Sequence, residues 1–183
     1  MKMTDTRQID APPADVYAAL LDPAVLQACV PGAQEVTGSP AEGFEATVVQ
    51  KVGPVKATFK GQVTLSEMVE NQSLTITGEG KGGAAGFAKG GADVRVSEKD
   101  GGTELSYDVE AKVGGKLAQL GSRIIDGFAK KMADQFFDNF KAAVEGPAPD
   151  VAEDAPTDTA QSAVEAEGEA PKKSWLGRLT GKD

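Results

Sequence analysis

The sequence predicts an α+β domain in which a curved antiparallel sheet grips one long helix, and three observations predict it. From Gln34 onward apolar residues recur at every second position. One late stretch, Gly115 to Val144, has instead the 3.6-residue period of an amphipathic helix. The elements come in the order strand, two short helices, six strands, one long helix. Each strand has one apolar face and the helix one apolar stripe, so each buries its apolar side best against the other.

Residues 2–9 read as an edge strand. Asp10-Ala-Pro-Pro followed by Ala14, Val16, Tyr17, Leu20 and Leu21 reads as a short helix with proline well placed in its first turn. Asp22-Pro23 breaks it, a second brief helix covers Ala24 to Cys29, and Val30-Pro31-Gly32 turns the chain away. Strands follow at Gln34 to Thr37, Phe44 to Val52 and Val55 to Leu65. Further alternation occurs around Leu74 and Ile76, from Ala92 to Val96, and from Leu105 to Val113. Gly53-Pro54, Glu70-Asn71 and Asp100-Gly101-Gly102 supply hairpin turns between them.

In the late stretch Leu117, Leu120, Ile124, Ile125, Phe128, Met132 and Phe136 fall within an arc of about 160°. Gly146-Pro147 ends the helix. Gly121, Gln135 and Asn139 interrupt the stripe near its centre. Two readings stand: close approach to a sheet with the amides satisfying strand edges, or a cavity.

Composition narrows the function. Lys and Arg number 19 against 28 Asp and Glu, and the net charge of −9 argues against binding a phosphate backbone, so no nucleic acid partner is expected. The single Cys29 excludes an internal disulfide, and the N-terminus has no apolar run typical of a signal peptide, so a cytoplasmic setting is expected. The absence of histidine removes the usual general base and the commonest zinc ligand, and no paired-carboxylate spacing calls for acid/base work; neither a catalytic nor a metal site is expected. Cys29 reads as a small buried hydrophobe. Tyr17 and Tyr107 read as amphipathic packing, with a hydrogen bond into a cavity as the other option.

The stretch Gly78 to Gly91 has seven glycines in fourteen residues, and Gly78, Gly80 and Gly83 match G-x-G-x-x-G. That match does not open a helix, as a dinucleotide site requires. A structural turn is one reading; a movable rim with Phe87 at its tip, over the space between sheet and helix, is the other. Three segments are expected: a domain over 1–146, an acidic linker over 147–170 with seven acids and no Lys or Arg, and a basic tail over 171–183.

Four blocks together resemble the CoxG family, the G subunits of carbon monoxide dehydrogenases, within the START-like helix-grip superfamily. They are Cys29-Val-Pro-Gly-Ala33; Lys51-Val-Gly-Pro-Val-Lys56 running on to Phe59-Lys-Gly61; Gly86-Phe-Ala-Lys-Gly90; and Gly114 to Arg123 continuing to Lys130-Lys-Met-Ala-Asp-Gln-Phe136. The resemblance covers residues 2–145 and implies a seven-stranded sheet around a long C-terminal helix with two small helices near the start. It also implies association with a carbon monoxide dehydrogenase or related molybdenum oxidoreductase, tethering of that enzyme to the membrane, and shelter for a respiratory quinone in an apolar groove.

The expected function is thus a non-enzymatic carrier and adaptor. Its ligand would be an isoprenoid quinone, menaquinone or ubiquinone, held non-covalently by Phe59, Val63, Leu74, Ile76, Phe87, Tyr107, Leu117, Gly121, Ile124, Phe128 and Met132. Lys172, Lys173, Trp175, Leu176, Arg178 and Leu179 would contact the anionic inner face of the cell membrane. Two rivals are an enzyme of the same fold acting on a polyketide or aromatic substrate, and an adaptor with a filled core and no ligand.

Overall fold

The computed structural model describes residues 1–146, so the expected linker and tail, with Lys172, Lys173, Trp175, Leu176, Arg178 and Leu179, lie outside the described residues. Strand β1 (Lys2–Ile9) is followed by helices α1 (Pro13–Leu20) and α2 (Pro23–Cys29). Proline opens both helices, and the Asp22 carboxylate caps α2 by accepting from the Ala24 amide at 2.8 Å and the Val25 amide at 3.4 Å. Six strands follow: β2 (Ala33–Ser39), β3 (Gly43–Val52), β4 (Val55–Val69), β5 (Ser73–Lys81), β6 (Phe87–Lys99) and β7 (Gly102–Gly114). They form one seven-stranded antiparallel sheet in the order β1-β7-β6-β5-β4-β3-β2. This is the α+β helix-grip architecture the alternating pattern predicts.

Turn chemistry explains the hairpins. Asn71 and Asp100 take left-handed backbone conformations, φ 59° and 53°, as short hairpin loops require. Glu67, at φ 47°, sits in an irregularity where the β4–β5 register shifts between Ser66 and Val69; the bulge leaves Met68 and Val69 exposed.

The long C-terminal stretch differs from its expected form. It is two helices, α3 (Lys116–Gln119) and α4 (Ser122–Glu145), parted at Gly121. Gly121 has φ 86° and ψ 155°, a region open essentially to glycine alone, and the Leu120 and Gly121 amides close three-residue turns onto Leu117 and Ala118 before α4 starts. Counting one helical phase through this break misplaces the buried face. The inward residues of α4 are Ile125, Phe137 and Phe140, with Phe128, Met132 and Phe136 half-buried beside them. Gln135 and Asn139 are exposed; the Asn139 amide donates to the Cys29 carbonyl at 3.1 Å, tying α4 to the end of α2 rather than to a strand edge.

Two apolar clusters hold the fold. The larger joins Ile9, Val16, Leu20, Cys29, Leu74, Val96, Leu105, Tyr107, Phe137 and Phe140 under the two short helices. The smaller joins Val52, Leu117 and Ile125, flanked by Met1, Val55, Phe59, Val113, Leu120 and Phe128, where α3 and α4 part. Cys29 is fully buried, and burial pushes its thiol pKa up, which suits an inert packing residue.

Candidate ligand groove

The space between these clusters is the candidate site, and small residues make it. On the inner face of the sheet Ala46, Gly61, Gly80 and Ala88 are in register across β3 to β6, and Gly78, Gly90 and Ala111 across β5 to β7. Strand alternation puts these two rows on the same face as Leu74, Ile76, Val94 and Tyr107. Large side chains at either end of the sheet meet helices, whereas the middle rows have little to offer. Helix α4 accordingly approaches the backbones of β1 and β3, near the sheet margins, together with the shorter helices. Val63 on β4 is in register with Gly78, and Met132 on α4 lies about one turn from Phe128 of the smaller cluster and from Phe136 of the larger; both are half-buried and pack into neither cluster. At Gly80 an added Cβ would meet nothing nearer than the Lys60 carbonyl at 3.9 Å.

The eleven residues expected to line the groove separate on this geometry. Met132 belongs to neither cluster, and Val63 lies in the band. Ile76 borders it from the larger cluster, and Phe59 and Phe128 from the smaller. Leu74, Tyr107 and Leu117 are fully packed core. Gly121 is the exposed break between α3 and α4, not the centre of a buried arc. Ile124 is 42% exposed on the first turn of α4, with its Cγ2 toward Gly53. Phe87 is 45% exposed, and its ring lies over Gly114 on the outer face of the sheet. It tips no rim: Gly78 to Lys81 and Phe87 to Gly91 are strand, and only a 3-10 turn, Gly83–Ala85, joins them. That turn is held by close approach of Gly86 to Gly114 and Gly115.

Beside the groove is a polar cluster that sequence reading missed. Arg7 on β1 pairs with Asp134 on α4 at 2.6 Å and with Asp5 at 2.7 Å, and its guanidinium lies 5.4 Å from the centre of the Phe137 ring. Phe137 stacks on Tyr107, with ring centres 5.0 Å apart. The hydrogen bond from Arg7 holds the Asp134 carboxyl below the usual carboxylate range, and Asp134 raises the Arg7 pKa in return. Burial pushes the Tyr107 pKa up, although nearby Arg7 pulls it back. The Tyr107 hydroxyl and Arg7 Nε are both buried without a hydrogen-bond partner of good geometry. Tyr17, in contrast, donates to the Ser73 carbonyl at 3.3 Å. The cluster latches β1 to α4; it contains no nucleophile with a base.

Two open concavities, of about 530 and 460 Å³, lie on the opposite face of the sheet. Gln62, Glu79, Lys89 and Lys112 line the first, and Glu35, Glu45 and Lys60 the second. They are open troughs on a twisted sheet, ringed by charged side chains. Among the described residues no cluster of three or more Cys, Asp or Glu is placed to hold a metal ion, and no helix is long and apolar enough to cross a membrane.

Residues 6–145 match the model of the CoxG family, the G subunit of carbon monoxide dehydrogenase. The chain belongs to that family. Membership in the CoxG family associates it with carbon monoxide dehydrogenase. Among solved structures it is similar to a conserved protein from Geobacillus kaustophilus, at 22% identity and TM-score 0.74, over 79% of this chain and 95% of that one. It is also similar to protein CV1439 from Chromobacterium violaceum, at 20% identity and TM-score 0.59, over 80% and 99%. A third is TTHA0849 from Thermus thermophilus, at 12% identity and TM-score 0.59, over 79% and 97%. At these identities the likeness shows the CoxG member's fold alone. No curated protein matches the chain.

Proposed function

We propose that the protein is a non-enzymatic accessory of a carbon monoxide dehydrogenase or related molybdenum oxidoreductase. It holds an isoprenoid quinone, menaquinone or ubiquinone, between α4 and the middle of the sheet. One observation carries the reading: on the inner face of the sheet, rows of Gly and Ala lie between the two apolar clusters, and the half-buried Val63 and Met132 belong to neither cluster. An apolar strip between packed ends suits a flat ring and an isoprenoid chain, which need surface more than hydrogen bonds. Family membership supports the oxidoreductase partner. The protein would stay associated with the cytoplasmic face of the membrane through the basic segment 171–183, whose Trp175, Leu176 and Leu179 could share one helical face among Lys172, Lys173 and Arg178. Native mass spectrometry of the full chain, followed by extraction of its lipids, tests the carrier reading. One quinone per chain is expected. A ligand-free chain that also fails to take up added menaquinone or ubiquinone, yet still binds its oxidoreductase, would leave an adaptor without cargo.

A further inference from the structure

The chain is acidic overall, yet its charge is not evenly spread. Chain direction sorts the turns of the sheet into two ends. One end holds the β3–β4 turn, the β5–β6 turn, α3 and the first turn of α4; there the smaller apolar cluster closes the groove. The other end holds the β2–β3, β4–β5 and β6–β7 turns and the end of α4.

The first end is basic. Lys51 and Lys56 face each other in register across the β3–β4 turn, and Lys60 and Lys81 across β4 and β5. Lys116 on α3 and Arg123 on α4 extend the patch, and all six are exposed. Glu79 pairs with Lys81 at 3.4 Å, and Asp126 is the nearby acid on α4. Within the same patch are Phe87 and Ile124, two of the large apolar side chains the fold leaves exposed. Gly53, beneath Ile124, keeps the β3–β4 turn against α4. The opposite end carries Asp10, Asp15, Glu42, Glu70, Asp100 and Glu145 at its turns and helix ends.

We propose that the basic end is a docking surface for an anionic lipid bilayer. Exposed apolar side chains ringed by lysines suit the headgroup region, where rings enter the interface and ammonium groups meet phosphates. The acidic end opposite faces away from a like-charged leaflet, so the charge asymmetry sets orientation as well as contact. The acidic stretch 147–170 is the competing occupant. It has no aromatic residue and gives Phe87 and Ile124 nothing to bury against except Ala, Val and Pro. The surface deepens the carrier reading above, since it would bring the end where α3 and α4 part to the lipid from which a quinone comes. It is separate from the 171–183 segment.

The test uses the full chain with Trp175→Phe and Phe87→Trp, so that the single tryptophan reports on the patch. With phosphatidylglycerol vesicles the emission is expected to shift to the blue and to be quenched by brominated acyl chains. Neither should occur with phosphatidylcholine vesicles. Adding Lys51→Glu and Lys56→Glu, both at exposed positions, should weaken partitioning at least tenfold, given about fivefold per basic residue near an anionic leaflet. Retained quinone, measured by mass spectrometry on the same variants, separates loss of docking from loss of the carrier. Vesicle binding with unchanged emission would assign all contact to the 171–183 segment and overturn the proposal. So would emission already blue-shifted without lipid and insensitive to it, which would give the patch to residues 147–170.

Discussion

The end of the sheet under α1 and α2 and its middle use the same strands and the same long helix, yet they are built in opposite ways. Under the short helices Phe137 and Phe140 of α4 meet Tyr107, Leu74 and Leu105, aromatic on aromatic, with Phe136 and Phe140 stacked 5.6 Å apart. In the middle, Gly61, Gly78, Gly80 and Gly90 offer no side chains, and Met132 of α4 packs into neither cluster. The filled end has rigid side chains on both sides of the interface; the middle has them on neither. Stability and binding are therefore assigned to neighbouring stretches of α4, one turn apart, and substitutions should separate them.

The largest separation is expected from truncating each stretch. Phe140 is fully buried, and Phe140→Ala should cost about 3–5 kcal/mol in denaturant unfolding. Met132→Ala should cost well under the roughly 2 kcal/mol of a packed core methionine. Equal losses would mean that the middle is as filled as the end.

Next in size is the hinge between the two helices. Nothing lies within 4 Å of a Cβ placed on Gly121, yet its backbone conformation excludes side chains, so Gly121→Ala should cost about 1–3 kcal/mol from strain alone. A neutral result would show that α3 and α4 can join into one helix.

The latch at Arg7 should show in acid. The folded-state pKa of Asp134 is below its unfolded value, so its stabilising pairing is complete above about pH 4 and is lost as pH falls through the folded pKa. Asp134→Asn should flatten the part of the stability profile below about pH 4 while leaving its shape near neutrality unchanged. An unaltered acid limb would place the loss elsewhere.

Smallest in stability, and most selective for binding, is Gly80→Val. The position is strand with room above it, so folding should change by less than about 1 kcal/mol while retained quinone falls. A variant that keeps its quinone would move the groove away from the glycine rows.

Much of this fold was legible because alternation and hairpin turns leave a strong local signal: Val55 to Leu65, Glu70-Asn71 and Asp100-Gly101 lie in strand and turn as read. The site was less legible, for physical reasons. A glycine fits a helical pattern and a helix break equally well, so the count through Gly121 carried a false phase into α4 and hid Phe137 and Phe140. Glycines inside β5 and β6 have no side chain to alternate, so the pattern stops at Ile76 and resumes at Ala92, which put Phe87 at a tip. Arg7 and Asp134 are 127 residues apart, and no local pattern joins them. The glycines themselves held the signal for the groove, but only strand register reveals that they form rows.

The central claim is that the gap facing Met132 is where a quinone lies. Methyl NMR of the full chain labelled at methionine tests it most directly, because Met132 packs into neither cluster and Met68 is 41% exposed on the β4 bulge. Adding a short-chain quinone should move the Met132 methyl signal in a saturable way, complete near one equivalent, while the Met68 signal stays in place. Quinone that binds without moving Met132, or that moves Met68 alone, would contradict the account.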